Sequence, residues 1–126
     1  MEYTCEIIDE HKIIKVTVWG VLKTHETALM GIIVRVKAFE IGYKLLFDYT
    51  QLTSIQISSG AAYFWFPDHY DKINIKLRYI PTAILINEIN YSAFIFFENT
   101  CYNKGIKLKV FEENQKALEW LKQVLN

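Results

Sequence analysis

Leu45-Leu46-Phe47-Asp48-Tyr49, and further on Ser58-Ser59-Gly60 running into Ala61-Ala62-Tyr63-Phe64-Trp65-Phe66, is the stretch that decides the fold. The first run is apolar without alternation, as in a strand covered on both faces, and it ends on a carboxylate. The second sets two hydroxyls and a glycine before an apolar stretch. Serine is a favoured helix N-cap because its oxygen accepts a hydrogen bond from a free N–H of the first turn. A helix start offers several such N–H groups, so it can hold a phosphate, either bound or attached to a serine. Strand, loop and helix start in this order form the repeating unit of a parallel sheet.

The flanking sequence fits that unit. Tyr3 to Ile8 and Ile13 to Trp19 read as strands joined by the polar turn Asp9-Glu10-His11-Lys12, hence as an antiparallel hairpin. In the second strand Ile14, Val16 and Val18 alternate with Lys15 and Thr17, and Gly20 reads as its end. Thr24 as N-cap and Gly42 as stop bound a helix. Its apolar face is expected on Leu29, Ile32, Ile33, Val36 and Phe39, broadened by Met30 and Val34, with Arg35, Lys37 and Glu40 elsewhere. Tyr43 to Tyr49 is the third strand, and Gln51 to Ile57 reads as a loop or short irregular turn. A helix from Ser58 or Ser59 stops or kinks before Pro67. Tyr79 to Ile86 is the fourth strand. Asn90 or Ser92 caps a helix from Ala93 to about Tyr102. Ile106 to Phe111 is the fifth strand, and Asn114 to Leu125 the last helix, with Ala117, Leu118, Leu121 and Leu125 on its stripe. The expectation is an α/β domain spanning residues 1–126: an N-terminal antiparallel hairpin joined to a mostly parallel five-stranded sheet, with about four helices covering both faces.

Composition narrows the function classes. The chain has 126 residues, 52% hydrophobic and 22% charged, which suits one globular core. Its 14 basic and 14 acidic residues cancel, which argues against a general electrostatic role on nucleic acid or an anionic membrane. Lys104, Lys107 and Lys109 read as a solvated strand edge. Cys5 and Cys101 make no disulfide framework, and both read as small buried hydrophobes. The start Met1-Glu2-Tyr3-Thr4 lacks the pattern of a secretion signal, and no apolar run is long enough to span a bilayer, so the expected location is cytoplasmic.

Enzymatic constellations are sparse in the sequence. His11, His25 and His69 lack metal-ligand spacing to one another or to a cysteine and read as surface histidines. Asp68-His69 and Asp71 form a local polar cluster of a kind common on loops. Cys101 has no evident base partner. Glu112-Glu113 reads as helix N-terminal charge. No phosphate-binding glycine loop is present. No catalytic residue, metal or cofactor is assigned from the sequence.

Two motifs carry a resemblance to a known family. One is Asp48 through Ser58-Ser59-Gly60. The other is Val110-Phe111-Glu112-Glu113 followed by Ala117-Leu118-Glu119-Trp120-Leu121. Together with the order of elements along nearly the whole chain, they resemble the SpoIIAA-like branch of the STAS domains, sometimes grouped as STAS/SEC14-like. The resemblance implies a regulatory interaction module of the anti-sigma-factor antagonist type, with Ser59 as phosphoacceptor candidate and Ser58 its neighbour. Asp48, Gln56 and Gly60 would then flank the site. In the signalling members an acidic residue stands two positions before the phosphorylated serine; here that residue is Ile57, with Gln56 the nearest polar side chain.

Tyr63-Phe64-Trp65-Phe66 is the other unusual feature. Four consecutive aromatics on a helix point around most of its circumference, so one core cannot take them all. Phe94, Phe96 and Phe97 repeat the pattern. Beside a thick aromatic core, Tyr63, Phe64, Trp65, Phe66, Phe94 and Phe97 are candidates for a protein interface or for an apolar ligand pocket. The expected function is a non-enzymatic protein-interaction domain with phospho-switching at Ser59. The alternative is binding of a small apolar molecule or lipid at the aromatic helix. Homodimerisation through the same aromatics is a third option.

Overall fold

The hairpin opens the chain. In the computed structural model, which describes residues 1–56, 75–103 and 105–124, β1 (Glu2–Ile8) pairs antiparallel with β2 (Ile13–Lys23), Cys5 opposite Val16. The chain turns between them with Lys12 in the left-handed region at φ 55°. Helix α1 (Thr24–Ile41) follows, then β3 (Lys44–Asp48), β4 (Leu52–Gln56), a 3-10 turn at Ile75–Tyr79 and β5 (Thr82–Leu85). A second 3-10 turn (Glu88–Asn90) leads into α2 (Tyr91–Asn103), β6 (Leu108–Phe111) and α3 (Asn114–Gln123). The sheet order is β1-β2-β3-β5-β6, and every pairing after the hairpin is parallel. This is the predicted α/β architecture, with three α-helices among the described residues.

One residue row shows how the core is built. Cys5, Val16, Phe47, Ile84 and Val110 are register partners across five strands. Strand side chains alternate between faces, so the row lies on one side of the sheet. There Val16, Phe47, Ile84 and Val110 pack with Ala28, Met30, Val34 and Ala38 of α1 and Phe94 and Cys101 of α2. The opposite face carries a smaller core of Ile13, Leu46, Ala83 and Leu85 under Ala117 and Leu121 of α3, with Leu118 and Trp120 packed beside it.

Three sequence expectations need correction. First, β2 does not end at Gly20. Glycine takes φ +87° there, the pairing register shifts, and the strand runs on to Lys23. The segment expected to be a loop, Gln51 to Ile57, supplies the partner for that extension: β4 pairs parallel with Gly20 to Lys23, giving the sheet a sixth strand. Second, the buried side of α1 is Ala28, Met30, Val34, Arg35 and Ala38. Leu29, Ile33, Val36 and Phe39 are exposed. Large apolar side chains occur on both sides of the helix, so helical spacing singled out the wrong face. The small Ala28 and Ala38 face inward, which lets the helix axis approach the sheet. Third, the residue before α1 is Lys23, in extended conformation and with no side-chain cap, so Thr24 is already helical. Gly42 ends α1 as expected, at φ 74° with its N–H on the Ala38 carbonyl.

Candidate functional site

Asp48 closes β3 at the carboxyl end of the parallel strands. Its Oδ1 accepts hydrogen bonds from the Thr50 backbone N–H at 2.9 Å and from the Thr50 hydroxyl at 2.6 Å. This is an Asx turn, the short-range competitor to a strand ladder, and it breaks the chain between β3 and β4. Beyond the break the sheet divides. β4 pairs with β2, while β5 and β6 lie on the other side of β3. Asn87, just past β5, reaches toward the break: its Nδ2 donates to the Thr50 carbonyl at 3.4 Å. Its Oδ1 accepts from the Asn90 backbone N–H at 3.3 Å. Asp48, Thr50 and Asn87 thus come together from two loops at the point where the sheet divides. In open α/β sheets, ligands and partners are recognised outside the carboxyl ends of the strands at such points.

Asp48, expected to flank the site, closes β3 where the sheet divides. Gln56 is exposed at the end of β4, beside Lys23. Ser58, Ser59, Gly60, Tyr63, Phe64, Trp65 and Phe66 lie outside the described residues, as does His69. Phe94 is 6% exposed, with its ring centroid 5.2 Å from that of Tyr49, so it belongs to the core and not to a surface. Phe97 is half-buried against that core, and Phe96 is exposed. The helix expected from Ala93 starts at Tyr91, directly after a 3-10 turn whose N-cap is Asn87. Thr50 and Asn87 were not singled out in the sequence. An Asp-x-Thr spacing after an apolar strand, and an Asn directly after another, were the available signals.

Beneath α1 lies a charged group that the sequence placed outside. Arg35 is 4% exposed. Its guanidinium donates to the Gly31 carbonyl and to the Thr82 hydroxyl, each at 3.4 Å, and stacks 5.5 Å above the Phe47 ring. Arginine suits such a place because its flat, weakly hydrated cation stacks on aromatic rings.

The cysteines separate by environment. Cys101 is buried as expected, and burial pushes its thiol up to about 12, with Arg35 opposing the shift and Glu98 adding to it. Cys5 is exposed on β1, which corrects the expectation of a buried residue; partial burial raises its pKa as well. A thiol reagent at neutral pH is therefore expected to modify Cys5 in the native protein and Cys101 about a hundredfold or more slowly, the two reacting alike after unfolding. Equal native rates for both would contradict this placement.

A notch of about 460 Å³ at the opposite end of the sheet is lined by Glu10, His11, Lys12, Gly42, Lys44, Leu121 and Lys122. Lys44 spends its ammonium there on the carbonyls of Leu121 and Val124, at 2.5 and 2.7 Å, and so caps the end of α3. Desolvation, and then the charge of Lys107, lower its pKa. Among the described residues no three His, Cys, Asp or Glu side chains stand close enough to hold a metal ion. Among them, too, no helix is long and apolar enough to cross a membrane.

No family model matches the sequence. No curated protein matches it either. Among solved structures the chain is similar to an uncharacterised protein of the DUF3478 family, with a SpoIIAA-like fold, from Shewanella loihica PV-4. The two share 21% sequence identity, the match covers 95% of this chain and 92% of that one, and the TM-score is 0.55. The hairpin, the parallel sheet and this likeness lead to one conclusion: the chain has the SpoIIAA-like, STAS-type fold.

Proposed function

We propose that the chain is a non-enzymatic regulatory module of the cytoplasm, which docks a protein partner at the carboxyl end of its parallel strands and is switched by phosphorylation of Ser59. The observation that carries this reading is the meeting of Asp48, Thr50 and Asn87 where the sheet divides. The SpoIIAA-like fold supports it. So does the path of the chain: β4 leaves the dividing point and ends at Gln56, two residues before Ser58. A phosphate on Ser59 adds about 1.5 to 2 negative charges, which alters docking by repulsion and desolvation.

The experiment has two stages. Native mass spectrometry of protein purified from its own host identifies a phosphate and any co-purifying protein. The affinity of that protein is then measured for wild type, Ser59→Ala and Ser59→Glu. We expect the last two to differ by about tenfold or more, the size of a few charge-assisted contacts. Equal affinities would remove the switch and leave the interface. The alternative is a small apolar ligand at the aromatic residues, of which Phe94 is buried in the core and Phe97 half-buried against it. A bound small molecule in the same mass spectrum would move the assignment there.

A further inference from the structure

The two outermost strands of the main sheet order, β1 and β6, present edges that are built differently. The β6 edge is four residues long and carries the exposed Lys109. It is also blocked by a side chain: the Glu98 carboxylate of α2 accepts a hydrogen bond from the Val110 backbone N–H at 2.5 Å. Short length, a lysine and a capped N–H all keep another strand from adding to an edge. Among the described residues the β1 edge has none of these devices. It is seven residues long, contains no proline or lysine, and pairs with β2 in unbroken register. Five of its residues, Glu2, Thr4, Cys5, Glu6 and Ile7, are exposed.

We propose that the β1 edge is an interface with a second copy of this chain, the two β1 strands pairing antiparallel about Cys5 and joining the two sheets into one. Among the registers that keep most of β1 paired, charge selects that one. A two-fold axis perpendicular to the sheet must bring each residue opposite one that points to the same face, so the pairing centres on a residue. Centred on Thr4, it sets Glu2 directly against Glu6 of the other copy, twice. Centred on Glu6, it sets the two Glu6 carboxylates against each other. Like charges directly opposite are destabilising. Centred on Cys5, Tyr3 meets Ile7, Thr4 meets Glu6 and Glu2 meets Ile8, with no like charges opposed. Glu6 already has Lys15 opposite it on β2. Tyr3, Cys5 and Ile7 then form an apolar strip on one face, and the chain's zero net charge adds no general repulsion. This surface is separate from the site at Asp48, so the proposal does not depend on the function above.

A strand edge alone is a small interface, so the dimer is expected to be weak and reversible. The test is sedimentation of the full chain from micromolar to near-millimolar concentration, with a thiol reductant present so that no disulfide contributes. Wild type is expected to dimerise. Cys5→Glu and Cys5→Lys each place like charges across the axis and are expected to weaken the dimer by about tenfold or more. Mixed in equal amounts, the two variants are expected to associate again, because the pair is now opposite in charge. The site is exposed, so both variants should keep the wild-type circular dichroism. A wild type that stays monomeric overturns the proposal. So does a dimer indifferent to both substitutions, and so does a mixture that fails to reassociate.

Discussion

Phe47→Ala is expected to destabilise the protein by about 3–5 kcal/mol, the range for removing a large buried ring. Phe47 is 2% exposed in the centre of the widest core row. Its ring touches three layers at once: the strands beside it, the Tyr49 ring at 5.7 Å, and the Arg35 guanidinium 5.5 Å above it. Alanine leaves a cavity that strands paired on both sides of β3 cannot close. It also removes the stacking surface under a buried cation, which then has only its polar partners. Urea unfolding measures the loss; Phe47→Leu, which keeps much of the volume, should cost about 1.5 kcal/mol or less. A loss below 1 kcal/mol for the alanine variant would mean that the row is not packed as described.

Leu121→Ala should be nearly as costly, at about 3 kcal/mol, for a different reason. The face of the sheet that α3 covers has a small core, and Leu121, 1% exposed, fills its centre with Ala117, Leu46 and Ala83 around it. α3 is the one described helix on that side, so among the described residues no neighbouring helix can move in to fill the gap. Its end is held as well by Lys44 on the Leu121 and Val124 carbonyls. A weakened leucine contact therefore also loosens that cap, and the two effects should not add independently. Denaturant unfolding of Leu121→Ala, Lys44→Met and the double variant checks this: a double-variant loss equal to the sum of the single losses would show that leucine and lysine act separately.

Much of the fold was legible because the informative residues carry local signals. Alternation in Ile14, Val16 and Val18 marked the hairpin strand. Leu45-Leu46-Phe47 marked a central strand, and Gly42 marked a helix end. The errors also have physical causes. α1 misled because Leu29, Ile33, Val36 and Phe39 lie on its outer side, while Ala28 and Ala38 share the inner side with Met30 and Val34, so hydrophobic spacing alone pointed the wrong way. β4 was missed because Leu52 is its one fully buried residue, and Thr53, Ser54 and Gln56 look like loop. Arg35 was assigned outward with Lys37 and Glu40 because a charge on a largely apolar helix is ordinarily solvated. Its partners, Thr82 and Phe47, come from distant strands that only the fold brings near. At the candidate site Asp48 was readable from its place at a strand end. Thr50 and Asn87 were not, since one acts through a local turn and the other across 37 residues of chain.

The Asx turn at Asp48 has a mechanical consequence. It splits what would be one long strand into two segments of unequal hold. β3 is clamped between two parallel neighbours and has a core side chain at every central position. β4 leans on β2 alone, and three of its five residues face solvent. Free energy of local opening follows such differences in pairing and burial. The hinge between the segments is held by two hydrogen bonds to one carboxylate oxygen and by Asn87 on the Thr50 carbonyl, and β4 sets only Leu52 fully into the core, so β4 is expected to open more readily than β3. Motion on the β4 side of Asp48 would thereby withdraw one leucine from the core and leave β3 paired on both sides.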